Sequence, residues 1–141
     1  MDKKSFGYKK SKQLAKEIYS KIGNISCPAF NGEMIHFTSD GFTHLIRKGR
    51  TLRTENEQKR RFSLIPYIKD IIKNPNVKVT FRQTEEKYRV NRDGKNIPMT
   101  SIAKFWTFHA QANGSKVRVV IRQIGPRQKE FQSVMFDEFK K

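Results

Sequence analysis

The sequence predicts an α+β fold, with N-terminal helices packed on one face of a four-stranded or slightly larger antiparallel meander. Three observations carry this. Apolar residues recur at helical spacing through the first half of the chain. After Asn74-Pro75 the period changes to two. Asn113-Gly114 then sits between two long runs, the strongest short hairpin signal a sequence offers. Helices followed by strands, rather than alternating with them, are the mark of this class. The 141 residues suit one domain. Within it, residues 1–7 are expected to fray, 8–75 to be mainly helical and 76–136 to form the sheet.

Each element has a local reason. Leu14, Ala15, Ile18, Tyr19 and Ile22 lie at helical intervals, and Gly23 supplies a stop. Ile35 and Phe37 alternate with polar neighbours in "GEMIHFT", which reads as a short strand. Thr38, Ser39 and Asp40 offer N-caps to a helix with Phe42, Leu45 and Ile46 on one side, ended by Gly49. Thr54 and Glu57 have the spacing of a capping box. The helix behind them buries Phe62, Ile65, Ile68, Ile71 and Ile72. Pro66 should kink or restart it, and Asn74-Pro75 ends it. Val77, Val79 and Phe81 then alternate with Lys78, Thr80 and Arg82. Tyr88 and Val90 alternate with Lys87, Arg89 and Asn91, and "RDGKN" turns the chain. Residues 101–112 and 115–124 flank the Asn-Gly turn, and "KEFQSVMF" supplies a last strand.

A two-residue turn at Asn113-Gly114 fixes the register, because every cross-strand pair must then sum to 227. Trp106, Phe108, Val119 and Ile121 fall on one face, the expected core. Lys104 shares that face by parity and must snorkel outward near the strand end. The other face pairs His109 with Arg118 and Phe105 with Arg122, with Lys116 beside them. Directly opposed side chains lie about 5 Å apart at Cβ. If the earlier strands turn their polar sides the same way, Lys78, Arg82, Lys87 and Arg89 join them. The expectation is a basic sheet face holding a histidine and an exposed aromatic, Phe105.

Charge narrows the partners. Thirty Lys and Arg stand against thirteen acidic residues, a formal net charge of +17. Such an excess costs the compact state self-repulsion and points to a polyanionic partner, most often nucleic acid. No apolar run approaches the roughly 18 residues of a membrane span, and no apolar segment follows the basic N-terminus, so neither a signal peptide nor membrane insertion is expected. The single cysteine, Cys27, excludes an internal disulfide, suits a reducing, cytoplasmic compartment, and has no nucleophile constellation around it. Three scattered histidines give no zinc-type spacing, and no cofactor is expected. Arginines that neutralise phosphates beside an aromatic that stacks unpaired bases favour RNA over DNA.

"TSDGFTHLIRKGRTLRT" holds His44 among Arg47, Lys48, Arg50 and Arg53. With Arg47 and Lys48 three and four residues on, on one helix side, the positive field should lower the His44 pKa and favour the neutral, proton-accepting form. His36, between Ile35 and Phe37, reads as structural. Arg60 and Arg61 read as solvated or paired, and Ser133 as a strand serine able to reach a phosphate.

The layout "GEMIHFTSDGFTHLIRKGR", "RRFSLIPYIKDIIKNP", "KVRVVIRQIG" and "EFQSVM" resembles the barnase, EndoU, colicin and RelE-like nuclease superfamily, particularly its phage-associated and polymorphic-toxin branches. The resemblance covers about residues 30–136. It implies helices against a four-stranded antiparallel sheet and metal-independent RNA cleavage, with His44, Arg118, Arg122 and Ser133 at matching positions. His109 comes from the hairpin register instead. No strand glutamate pairs with a late histidine as in barnase, which leaves the general base unassigned. The first reading is therefore an endoribonuclease, toxin-like, in which histidine moves protons, Arg118 and Arg122 hold the scissile phosphate, and Arg47 and Arg53 guide the strand. It is expected to be a monomer, with an acidic inhibitor or immunity protein as a second partner; delivery into another cell stays open. The alternatives are a non-catalytic RNA- or DNA-binding module and a basic accessory protein docking on an acidic protein.

Overall fold

The computed structural model describes residues 3–137, with side chains from residue 7 onward. Helix α1 (Lys3–Ile22) leads into a small hairpin of β1 (Ile25–Cys27) and β2 (Glu33–Ile35). Helix α2 (Ser39–Ile46) follows, then a second small hairpin of β3 (Arg47–Lys48) and β4 (Thr51–Leu52). Helices α3 (Glu55–Phe62) and α4 (Ile68–Lys73) precede an antiparallel meander of β5 (Lys78–Arg92), β6 (Lys95–Ala112), β7 (Ser115–Ile124) and β8 (Glu130–Phe136). Helices over one face of a four-stranded antiparallel sheet are the expected α+β class.

The segment expected to fray is helical from Lys3 onward, and residues 1 and 2 lie outside the described residues. Helix α1 buries a narrower stripe than its periodicity suggests, for Ala15 and Tyr19 are buried whereas Leu14 and Ile18 are exposed. Thr54 caps α3 by accepting the Glu57 N–H at 3.2 Å. The Glu57 carboxylate does not complete the box: it turns to Arg61 at 3.0 Å. Pro66 restarts the chain through a 3₁₀ turn at Ile65–Tyr67. Cys27 is fully buried, its thiol 3.7 Å from the Ile72 carbonyl oxygen. The two small hairpins lack apolar alternation of useful length, and only the β2 strand was foreseen.

The β6–β7 register is the one the turn arithmetic requires, from Ala112 opposite Ser115 to Ala103 opposite Ile124. Asn113 and Gly114 both have positive φ, 52° and 80°, the conformation of a two-residue hairpin turn matched to strand twist. Phe108, Val119, Ile121 and Val134 face the helices and are fully buried, with Trp106 at the margin of that core.

Two expectations for the strands need correction. Residues 78–92 form one unbroken strand rather than two short ones. Alternation then carries through without a reset, placing Lys78, Thr80 and Arg82 opposite His109, Thr107 and Phe105. Lys87 and Arg89 have odd parity and fall on the other face. They do not join the basic surface.

Strands β5 and β6 also outrun the sheet. β7 pairs with β6 only from Ala103, so residues 85–92 and 95–102 form a two-stranded arm closed by a turn at Asp93-Gly94. At about 3.3 Å per residue it extends roughly 26 Å. Tyr88 pairs with Met99 and Val90 with Ile97, which gives the arm one apolar face. Arg89 pairs with Pro98 on the other.

The helical layer is pinned to the sheet at its far edge. His36 makes a parallel bridge to Glu130, with His36 N–H donating to the Lys129 carbonyl and Phe131 N–H donating to the His36 carbonyl, both at 2.9 Å. Both bonds come from the His36 backbone, which ties the end of β2 to β8. Helix α2 then lies so close to β8 that a Cβ at Gly41 would stand 2.7 Å from the Phe131 carbonyl oxygen and 2.5 Å from the Tyr19 hydroxyl. Gly41→Ala should therefore destabilise by about 1–3 kcal/mol through overpacking, seen as a lower urea midpoint. An unchanged midpoint would mean that this seam yields freely.

Candidate nucleic-acid interface

Helix α2 ends at Ile46, where the chain turns into the β3–β4 hairpin and then α3. This places the C-terminal end of α2 over the outer half of the sheet face that does not carry the helices' core. His44, Arg53 and Arg61 come from the overhang; Arg82 and Arg118 come from β5 and β7; Ser133 comes from β8. Together they line a cleft of about 450 Å³. Lys48 lines it too, and among the described residues no carboxylate does. A shallower hollow continues past His44 to Arg47, Arg122 and Asp40.

Three arginines of this cleft, Arg53, Arg61 and Arg82, are held by fixed partners. Arg53 donates its Nε–H to the His44 carbonyl at 3.0 Å, and its own carbonyl accepts from Gln58 at 2.7 Å. Arg61 is buried; its Nη1 donates to Ser133 Oγ at 2.8 Å while Nε contacts Glu57 at 3.0 Å. Arg82 lies over the Phe105 ring, 4.1 Å from its centroid. Arg122 is 3.8 Å from Glu130. Ser133 is buried and already engaged by Arg61, so it acts as a brace at the cleft wall.

The His44 pKa lies below the ordinary histidine value, as the sequence suggested, for different reasons. Partial burial penalises the charged ring first, and Arg122, Arg53 and Arg61 add to the effect against a small opposing pull from Asp40. Arg47 and Lys48 are not its helical neighbours at all: they sit in β3, beyond the end of α2, and both are exposed. Burial likewise lowers the Arg53 pKa, with Arg61 contributing.

Phe105 is a second correction. It sits on the expected face but is only 5 % exposed, roofed by the Arg82 guanidinium. A cation over an aromatic ring gains quadrupole attraction, and the ring is not free to stack on a base.

His109 occupies an adjoining site. With Lys78, Lys116, Arg118 and Asp137 it lines a separate hollow of about 500 Å³, which meets the His44 cleft at Arg118. Thr80 Oγ1 lies 2.8 Å from His109 Nε2, and Asp137 Oδ2 lies 3.9 Å from Nδ1. Asp137 Oδ1 is also 3.4 Å from Arg118 Nε, without the alignment of a hydrogen bond. The last strand ends at Phe136 as expected, and sequence reasoning missed Asp137 because it lies just past that end. Its N–H still donates to the Lys116 carbonyl at 2.9 Å, which holds it beside β7.

The interface thus brings together His44, Arg53, Arg82, Arg118 and Lys48, with Arg47 and Arg122 beside them. His109, Lys78 and Lys116 lie next door, and Lys87 and Arg89 are excluded. Among the described residues, no group of three or more His, Cys, Asp or Glu side chains converges as a metal site, and no helix is long and apolar enough to cross a membrane. No family model, curated protein or solved structure matches the chain.

The depressed His44 pKa fixes a pH dependence. Between the folded value and the unfolded value of about 6.5, the unfolded chain binds the proton that the folded one refuses. His44 therefore favours folding above that window, and the contribution is lost as pH falls through it. Unfolding free energy measured from about pH 7 to about pH 5 should fall less steeply in His44→Gln than in wild type. Identical slopes would show that His44 does not titrate abnormally.

Proposed function

We propose that this protein binds single-stranded RNA along the cleft between the α2 overhang and the sheet, and cleaves it without a metal. The observation that carries the reading is a histidine held in its proton-accepting form on the wall of a cleft lined by cations. In this mechanism His44 removes the proton from a ribose 2′-hydroxyl. The 2′-oxygen attacks the adjacent phosphorus, the bond to the 5′-oxygen breaks, and Arg118 with Arg82 stabilises the charge on the phosphorane oxygens. His109, across Arg118, returns a proton to the leaving oxygen, and a cyclic phosphate remains. Such chemistry is what the resemblance to the barnase, EndoU, colicin and RelE-like superfamily implies.

A second reading, a non-catalytic RNA- or DNA-binding module, draws support from His109. Both of its ring nitrogens already face protein groups, Thr80 and Asp137, which leaves the acid's role to be gained by displacing one of them. In either reading an acidic inhibitor protein would compete for the same cations.

Fluorescent RNA incubated in EDTA separates the two. Cleavage should persist in EDTA and fall by about a hundredfold or more in His44→Ala. Intact RNA with tight, salt-sensitive binding would leave only the binding module. Neutralising about four phosphates should give a slope near −3 in log K against log salt for a single strand, and Arg118→Ala should reduce it by about 0.7. A slope near zero would remove the polyanion from both readings.

A further inference from the structure

Thr38 occupies the N-cap position of α2, where a threonine oxygen ordinarily accepts a backbone N–H of the first turn. It makes no such bond here, and its Oγ1 is buried with no hydrogen-bond partner. The residue lines a cavity of about 480 Å³ between α1 and α2. That volume lies within the range of about 300–1,000 Å³ found for small-ligand sites. Phe37, Phe42 and Ile46 form its apolar walls, and Lys12 and Lys16 complete the lining from α1.

The cavity adjoins the proposed RNA path. Thr43 lines both this cavity and the hollow that contains His44 and Arg122. His44 in turn lines the arginine cleft on the sheet. A strand leaving that cleft past His44 crosses Thr43 and meets an aromatic wall beside two lysines.

We propose that this cavity is a nucleobase pocket, which takes one unpaired base of the RNA strand next to the phosphates held at His44. The inference rests on the RNA reading above and adds base selectivity to it. Phe37, partly exposed and stacked on Phe131 with ring centroids 5.0 Å apart, is the platform a base would lie on. Lys12 and Lys16 neutralise the flanking phosphates. A χ1 turn brings the uncommitted Thr38 hydroxyl into the cavity, where it can bond the polar edge of the base. This pocket supplies the stacking aromatic that Phe105, roofed by Arg82, cannot.

Binding of four 2′-O-methyl homopolymers of about ten nucleotides, followed by fluorescence anisotropy at low salt, tests the idea without requiring cleavage. One homopolymer should bind about tenfold tighter than the weakest, since an unpaired polar contact rejects the wrong base. Thr38→Val should bring the four within about twofold of one another. Its thermal midpoint should stay level or rise, because the hydroxyl it loses has no partner in the fold. Lys16→Ala should weaken all four alike. Equal binding of the four by wild type, or an unchanged ratio in Thr38→Val, overturns the pocket and leaves the RNA reading standing. Failure of all four to bind overturns both.

Discussion

The approach of α2 to β8 is the constraint on which the molecule's architecture rests. Gly41 allows the helix backbone to sit against the Phe131 carbonyl and the Tyr19 hydroxyl. That contact closes the outer edge of the sheet, an edge that would otherwise present unpaired backbone groups. It also sets how far the end of α2 projects past β8, and so where His44 stands relative to Arg118. Packing on the core side and the cation-lined cleft on the opposite side are thus joined through one residue without a side chain. The Tyr19 hydroxyl donates to the Thr38 carbonyl at the start of the same helix, and burial holds the phenol in its protonated form. The seam is fastened at both its backbone and its side chains.

Assembling this many cations requires backing. Three carboxylates stand behind the arginines of the sheet face and its overhang: Glu57 behind Arg61, Glu130 behind Arg122 and Asp137 behind Arg118. Each holds a guanidinium in place while the cleft itself stays free of negative charge. The Arg122–Glu130 and Arg118–Asp137 pairs are partly exposed and contribute little to stability, about 0–1 kcal/mol; their value is orientation. Arg82 uses a different support, the face of Phe105. A guanidinium so placed keeps its N–H groups directed outward, because its plane is engaged with the ring.

Much of this was legible in the sequence, for identifiable reasons. A hairpin with an Asn-Gly turn has only one sensible register, so the whole β6–β7 pairing and the partition of its two faces followed from arithmetic. The fold class followed from the change of period. What failed were inferences that carried a local pattern across a break. Arg47 and Lys48 have helical spacing from His44, yet Ile46 is the last helical residue. Lys87 and Arg89 look like a second basic strand, yet β5 runs through without a bulge and parity sends them elsewhere. Phe105 was on the right face, but a face alone does not say what covers a side chain. The participation of Arg61, Asp137 and Thr38 depends on elements far apart in sequence. No spacing rule contains that information.

The β5–β6 arm has a consequence for the protein's behaviour in company. Beyond Ala103 this ribbon has an open edge on both sides, and one of its faces carries Tyr88, Val90, Ile97 and Met99. Two such ribbons meeting edge to edge would form a continuous sheet between molecules, the usual starting point for aggregation. The β5 edge is guarded by its charged residues Glu85, Glu86, Lys87, Arg89 and Arg92. The β6 edge has Pro98, which contributes no N–H to an incoming strand. High local protein concentration is where such a safeguard matters most. Pro98 then helps to keep crowded copies of the chain separate.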